Sequence, residues 1–246
     1  MTAARPVALV TGASRRIGAT IARTLHAAGY DLSLHQRRDD DGMDALVAEL
    51  ETARAQSTCV LRAELADAES LSSLIEDTIA RFDRLDALVN NASAFFPTPI
   101  GTATPQQWDA LFAANARAPF FLSQAAAPHL RAAGGAIVNL VDIHGERPLK
   151  DHTLYCMAKA ALAMLTLSLA KELGPEVRVN GIAPGAVLWP ESGKSDADRQ
   201  LVLASTALQR VGDPQDGSEA VVGLSRDARY TTGHILRVDG GRMLTI

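Results

Sequence analysis

The stretch TGASRRIG, residues 11–18, directly follows the apolar run Val7–Val10 and opens a helical pattern. Gly12 and Gly18 let the backbone turn tightly and let the helix approach the strand. The N-terminus of such a helix offers free N–H groups and a positive dipole to a pyrophosphate. Taken alone, this turn could be an ordinary strand-to-helix connection. Its order of strand, glycine-rich turn and helix nevertheless predicts a dinucleotide site at the start of the chain.

The same alternation of short apolar runs and helix-length patterns continues to the end of the chain, without a linker or repeat. It predicts an α/β chain: a single-domain Rossmann fold over residues 1–246, with a doubly wound parallel sheet of about seven strands and helices on both faces. The expected strands are residues 7–10, 32–34, 58–61, 87–89, 136–140, 177–182 and 235–238. The expected helices are near residues 17–28, 41–53, 68–82, 105–130, 153–173, 197–207 and 214–226.

Composition excludes several classes of function. The chain has 246 residues, 47% of them hydrophobic, and a formal net charge of −4, without a basic block that would indicate nucleic-acid binding. It has no run of 18 apolar residues and no apolar leader before the first strand, so we expect a cytoplasmic protein with no membrane partner. Its two cysteines, Cys59 and Cys156, lie in apolar patterns and predict neither a disulfide framework nor a metal site.

The end of the second strand indicates which dinucleotide binds. Gln36 stands where an acidic residue would hold the ribose 2′-hydroxyl of NAD, and Arg37 and Arg38 follow it. Guanidinium groups bind phosphate oxygens in a fork geometry. This segment therefore predicts a pocket for a 2′-phosphate and selection of NADPH.

A tyrosine and a lysine in the long helical pattern near residues 153–173 are candidates for catalysis. Tyr155 and Lys159 are four residues apart, so both project from one face of the helix. We expect the ammonium to lower the pKa of the phenol and make it a usable proton donor. Such a pair is often only surface decoration, but here Asp142 ends the preceding strand pattern, 13 residues before the tyrosine.

These elements resemble the short-chain dehydrogenases, from Val7 to Gly241. That family has a T-G-x-x-x-G-x-G turn and a Ser at the position of Asp142. In this chain Arg16 replaces the middle glycine of the turn, and a basic residue at this position is similar to the pteridine reductase branch of the family. The resemblance implies that Asn115 completes a proton relay to Lys159, although a helix-capping or kinking role is equally open. With the phosphate argument it predicts cofactor contacts from Gly12, Ser14, Arg15, Arg16, Ile17, Gly18, His35, Arg37, Arg38, Glu64, Leu65, Asn91, Ala92, Ser93, Tyr155, Lys159, Pro184 and Gly185.

The carboxylate of Asp142 indicates which kind of bond is reduced in the substrate. It would repel the negative charge that develops on a carbonyl oxygen during reduction, whereas reduction of a C=N bond makes a nitrogen that must gain a proton. The resemblance to pteridine reductases also implies that Phe95 stacks on a pterin ring. The expected substrate is therefore a pterin or folate, contacted by Arg16, Ser93, Phe95, Asp142, Tyr155, Leu188 and Trp189.

Two other functions remain open at this point. A 3-oxoacyl or other carbonyl reductase would share the nucleotide turn and the Tyr-Lys pair, with Asp142 arguing against it. A catalytically silent NADP-binding regulator would have no need of Tyr155 and Lys159. The residues do not choose among pterins and folate.

The helix expected over residues 154–173 is apolar on nearly every side. A helix of this kind must be covered on more than the side that faces the sheet. We therefore expect a homo-oligomer that packs through this helix, and the family resemblance implies a homotetramer.

Overall fold

A computed structural model describes residues 5–39, 41–187 and 196–245. Within these ranges, seven strands form one parallel sheet in the order β3-β2-β1-β4-β5-β6-β7. This order confirms the doubly wound Rossmann architecture expected from the sequence. The strands are β1 (Val7–Val10), β2 (Asp31–Gln36), β3 (Thr58–Arg62), β4 (Ala87–Asn90), β5 (Ala136–Leu140), β6 (Arg178–Pro184) and β7 (Ile235–Val238).

Helices cover both faces of the sheet and divide its core in two. One cluster joins the sheet to α1, α2 and α8 through residues such as Ile21, Leu46 and Val221. The other joins it to α3, α5 and α6 through residues such as Leu74 and Leu122. The helices are α1 (Arg16–Ala27), α2 (Asp41–Ala53), α3 (Ser70–Phe82), α4 (Pro105–Phe112), α5 (Ala118–Ala133), α6 (Thr153–Leu173), α7 (Asp196–Ala204) and α8 (Pro214–Val222).

The strand order reverses between β1 and β4, which are hydrogen-bonded neighbours. In open parallel sheets, ligands bind beyond the carboxyl ends of the strands at this switch point, where loops leave in opposite directions. The segments after β1, β4, β5, β6 and β7 all lie at this edge. It therefore gathers most of the residues singled out in the sequence.

One expected helix is interrupted. The pattern over residues 105–130 predicts a continuous helix, but a π-helical turn at Ala113–Arg117 separates α4 from α5. The side chain of Asn115 donates hydrogen bonds to the carbonyl oxygens of Leu111 (2.9 Å) and Ala94 (2.8 Å), and Pro119 has no N–H to continue the ladder. Single π turns inside helices frequently mark functional sites. A similar π turn, Gly223–Asp227, ends the helix expected over residues 214–226.

Helix α6 is the one helix in the described ranges that is long and apolar enough to cross a membrane by length and composition. Core helices of globular proteins meet the same criterion, so this is weak evidence for a membrane span. The helix packs on β5 and β6 and carries the buried residues Tyr155 and Lys159.

Candidate active site

The glycine-rich turn after β1 depends on the absence of two side chains. Gly12 has a φ of +64°, and a Cβ on Gly18 would lie 2.0 Å from the carbonyl oxygen of Gly12. The side chain of Asn91 donates to the carbonyl oxygens of Thr11 (2.8 Å) and Gly12 (3.0 Å). The turn is thus pressed between the start of α1 and the segment after β4, as a dinucleotide turn requires.

Arg16, the first residue of α1, has a φ of +52°. This left-handed conformation is costly for a residue with a Cβ and is normally taken by glycine. Arg15 before it is extended, and both side chains are exposed. Strain of this kind persists at sites where a side chain has a function. The substitution of arginine for glycine noted in the sequence is therefore placed at a backbone position that suits glycine better.

His35, expected at the cofactor, is buried beneath the turn instead of facing the cleft. Its Nδ1 accepts from the N–H of Gly12 (3.2 Å), so Nε2 carries the proton and donates to the carbonyl oxygen of Ala63 (3.1 Å). Burial lowers the pKa of this imidazole, which keeps it neutral. Both ring nitrogens are used inside the protein, so His35 positions the turn.

The end of β2 presents groups suited to a phosphorylated ribose. Arg37 and Arg38 are exposed immediately after the strand. The side chain of Gln36 is buried, and its Oε1 accepts no hydrogen bond from the residues that the structure describes. A buried acceptor without a donor fits a ligand hydroxyl, and two guanidinium groups fit a phosphate. Glu64 and Leu65 were both expected to contact the cofactor; Glu64 is exposed and Leu65 is buried.

Asp142 lies just beyond β5 with both carboxylate oxygens engaged. Its Oδ1 accepts from the backbone N–H of His144 (2.8 Å), and its Oδ2 accepts from the phenol of Tyr155 (2.7 Å). Both oxygens of Asp142 therefore serve as hydrogen-bond acceptors. The expected grouping of Asp142 with Tyr155 is therefore present, with the tyrosine as donor.

The expected effect of Lys159 on the phenol was wrong. Burial, the charge of Asp142 and the hydrogen bond to it raise the pKa of Tyr155 well above its usual value, while contact with the hydroxyl of Ser93 lowers it slightly. Lys159 donates its Nζ proton to the carbonyl oxygen of Leu140 (2.7 Å) and lies 5.8 Å from the centre of the tyrosine ring. Burial lowers the pKa of Lys159 to about 8.

Asn115 connects to this centre through a serine. Its Oδ1 accepts a 2.6 Å hydrogen bond from the hydroxyl of Ser93, which also contacts the phenol of Tyr155. The resemblance implied a relay from Asn115 to Lys159, but the hydrogen bonds of its side chain in the described structure go to Ser93, Ala94 and Leu111. The polar path therefore runs from Asn115 through Ser93 to Tyr155.

Phe95, which was expected to stack on the substrate, lies against two rings of the protein. Its ring meets Tyr155 edge to face with centres 4.8 Å apart, and stacks on His152 at 4.7 Å with an angle of 16° between planes. The side chain of Phe95 remains 55% exposed. Sequence reasoning missed His152, which precedes the first residue of α6 and lies three residues before Tyr155.

The segments after β6 and β7 form the far side of the cleft. A Cβ on Gly185 would lie 2.8 Å from the Cα of Asp239, so this close approach requires glycine. Pro184 ends β6 opposite Val238. Leu188 and Trp189, expected at the substrate, lie outside the described residues.

In the described part of the chain, no group of three or more His, Cys, Asp or Glu residues is arranged to hold a metal ion. Cys59 and Cys156 are both half-buried free thiols. The cleft is therefore built from a phenol, an ammonium, a carboxylate and hydroxyl or amide groups, which suits hydride transfer coupled to proton transfer.

The chain is similar to known reductases over nearly its whole length. A family model described as enoyl-(acyl carrier protein) reductase matches residues 12–243. A protein of Streptomyces violaceoruber named as a ketoacyl reductase of granaticin polyketide synthase is 37% identical over 97% of this chain and 96% of its own length. Pteridine reductase 1 of Leishmania tarentolae is 35% identical over 98% of this chain and 97% of its own.

A solved structure has the same fold. It is that of a blue fluorescent protein from a metagenomic library in complex with NADPH, and it aligns with a TM-score of 0.89 at 33% identity. The alignment covers 96% of this chain and 97% of the other.

Proposed function

The chain belongs to the short-chain dehydrogenase/reductase family, and we propose that within it the protein uses NADPH to reduce a C=N bond of a pterin, a dihydropterin or dihydrofolate. NADPH is the cofactor, in keeping with the NADPH-bound structural neighbour and with the family. Gly12 and Gly18 would hold its pyrophosphate at the N-terminus of α1, and Arg37 and Arg38 its 2′-phosphate.

The observation that carries the substrate proposal is the hydrogen bond from Tyr155 to the carboxylate of Asp142. A carbonyl oxygen that gains negative charge beside this carboxylate would be destabilised, whereas a nitrogen that gains a proton would not. The raised pKa of Tyr155 keeps its phenol protonated at neutral pH, so the proton is available for transfer.

The chemistry then divides between the cofactor and the protein. When bound, the nicotinamide supplies a hydride to a ring carbon of the substrate. Tyr155 protonates the adjacent ring nitrogen, or relays a proton to it, while Asp142 orients the phenol. The buried ammonium of Lys159 offsets the negative charge left on the Tyr155–Asp142 pair. Ser93 and Asn115 link the phenol to the π turn and provide a path for proton replacement.

Phe95 supports an aromatic substrate. One face of its ring stacks on His152, and the residue is still 55% exposed, which leaves area for a flat heteroaromatic ring. Arg16, strained at the start of α1, would reach the substrate and the cofactor phosphates together.

Carbonyl reduction is the second candidate, favoured by the similarity to a named ketoacyl reductase. The family shares Tyr-x-x-x-Lys chemistry across such substrates, so the cofactor half of the cleft is compatible with either. The carboxylate at position 142 is the feature that separates them.

We also propose a cytoplasmic homotetramer. Helix α6 exposes Met157 (43%), Met164 (61%) and Leu167 (42%), and Trp108 and Phe120 are 41% and 40% exposed on the neighbouring helices α4 and α5. Large apolar side chains grouped on adjacent helices favour burial against another copy of the chain.

One assay separates the candidates. NADPH oxidation is followed by absorbance with dihydrobiopterin, dihydromonapterin, dihydrofolate and an acetoacetyl thioester. We expect turnover with at least one of the first three and little with the thioester, and loss of most turnover but not of NADPH binding in Tyr155→Phe. Reduction of the thioester alone would refute the pterin proposal, and no turnover with any compound would favour an NADP-binding regulator.

A further inference from the structure

The carboxyl ends of β5, β6 and β7 lie side by side, and each is followed by part of the cleft. Asp142 follows β5, Gly185 follows β6, and Asp239 follows β7. Two strand spacings, about 10 Å, separate β5 from β7. A long side chain carried just after β7 can therefore reach back across β6 toward the catalytic carboxylate.

Arg242 occupies that position on a firmly held turn. Its backbone N–H donates to the carbonyl oxygen of Asp239 (3.2 Å), and it begins the short 3₁₀ turn Arg242–Leu244. The carboxylate of Asp239 accepts from the backbone N–H groups of Gly241 (2.9 Å) and Met243 (2.8 Å). The turn that carries Arg242 is thus fixed to the end of β7.

The guanidinium of Arg242 is close enough to Asp142 and Asp239 to interact with both charges. Partial burial lowers its pKa, and the two carboxylates oppose that effect. Each oxygen of these carboxylates already accepts a hydrogen bond, from Tyr155 and His144 at Asp142 and from backbone N–H groups at Asp239.

The hydrogen-bond donors of Arg242 are unused in the described structure. Its Nε is buried without an acceptor, and no described residue accepts a hydrogen bond or forms an ion pair with its side chain. A buried donor left unpaired is costly, and each such group in a native fold calls for an explanation. A ligand acceptor in the cleft would provide one.

We propose that Arg242 is a specificity-determining residue that binds a carboxylate of the substrate beside Asp142. Guanidinium groups bind carboxylates with two parallel hydrogen bonds. A single negative charge matches the one positive charge of the guanidinium, whereas a doubly charged phosphate would be repelled more strongly by Asp142 and Asp239. The assignment rests on the proposed function only in placing the substrate over Tyr155.

The test compares ligands that differ by one carboxylate. Isothermal titration of the protein in the presence of NADP⁺ measures binding of pterin-6-carboxylate against 6-hydroxymethylpterin, and of acetoacetate against acetoacetamide. The variants are Arg242→Met, Arg242→Gln and Arg242→Lys. Arg237→Met is the matched control, because Arg237 lies on β7, is exposed and pairs with Glu146.

We expect the wild type to favour the carboxylated member of one pair by about tenfold or more, the usual range for a charge-assisted pair. Arg242→Met and Arg242→Gln should remove this preference, Arg242→Lys should keep part of it, and Arg237→Met should leave it unchanged. If the pterin proposal is wrong, neither pterin binds, and the acetoacetate pair decides the role of Arg242. A wild type with no preference in either pair, or Met and Gln variants that retain it, would overturn the inference.

Discussion

The phenol of Tyr155 donates a 2.7 Å hydrogen bond to Oδ2 of Asp142, which lies 13 residues earlier in the chain. The phenol keeps the proton that the proposed reaction needs and is hydrogen-bonded through it to the carboxylate. The bond also raises the pKa of the phenol, so the pair acts as one unit in proton transfer.

Replacing Asp142 by Ser should separate imine from carbonyl chemistry. The variant removes both the charge and the hydrogen bond, so the pKa of Tyr155 should fall and dihydropterin turnover should drop by about 10²-fold or more. Ultraviolet titration follows the phenol, and Tyr155→Phe in the same background identifies its signal among the three tyrosines of the chain. Full dihydropterin activity in Asp142→Ser would contradict the role given to the carboxylate.

The pH dependence of kcat/KM for NADPH should report the loss of the positive charge on Lys159. Burial lowers the pKa of this ammonium from 10.5 to about 8, so the positive charge is present below that pH and is lost above it. If the charge is needed, kcat/KM for NADPH, which reports the free enzyme, should fall as the pH rises through 8. Lys159→Arg should move the fall to higher pH, and the exposed control Lys171→Met should not. A wild-type profile that is flat through this range would exclude the assignment.

Removal of Arg37 and Arg38 should change cofactor preference. Both are exposed after β2, where they would neutralise a 2′-phosphate. The double Ala variant should raise the KM for NADPH far more than that for NADH, because only NADPH carries this phosphate. Arg23→Ala, on α1 and paired with Glu49, is the control for loss of a surface charge. Equal effects on the two cofactors would refute the phosphate pocket.

Arg16 offers a test of strain at the site. Arg16→Gly and Arg16→Ala remove the same side chain, but only glycine adopts a φ near +52° without penalty. The Gly variant should therefore be more stable to denaturant than the Ala variant by about 1 kcal/mol. Both should bind NADPH and substrate equally poorly. Equal stabilities would mean that the backbone at position 16 is not strained.

Charge placed on α6 should disrupt the proposed tetramer. Met164→Glu with Leu167→Glu puts two carboxylates on the exposed apolar side of this helix, where burial against another copy would be costly. Light scattering should show the wild type at four times the 26.0 kDa chain mass and the variant at a lower mass. Tyr230→Glu, on a fully exposed residue, is the control. A wild-type monomer at micromolar concentration would refute the proposal.

Local sequence determined the sheet and its helices. Apolar runs of three to six residues alternate with amphipathic stretches, and that periodicity is enough to predict a doubly wound parallel sheet and its functional edge. Gly12 and Gly18 could be assigned to the nucleotide turn from their place between a strand and a helix, and the structure then showed that the backbone there excludes a Cβ. The spacing of Asp142, Tyr155 and Lys159 likewise predicted that the three residues share one site.

What these residues do to one another was decided by the tertiary structure. The sequence predicted that Lys159 lowers the pKa of Tyr155, but the fold directs the ammonium to the carbonyl oxygen of Leu140 and the phenol to Asp142. Spacing along a helix fixes which face a side chain leaves from. It does not fix burial or the partner it meets from another strand, and those two quantities set a pKa. The stacking of His152 on Phe95 and the approach of Arg242 to Asp142 depend in the same way on segments that come together only when the sheet and its helices are assembled.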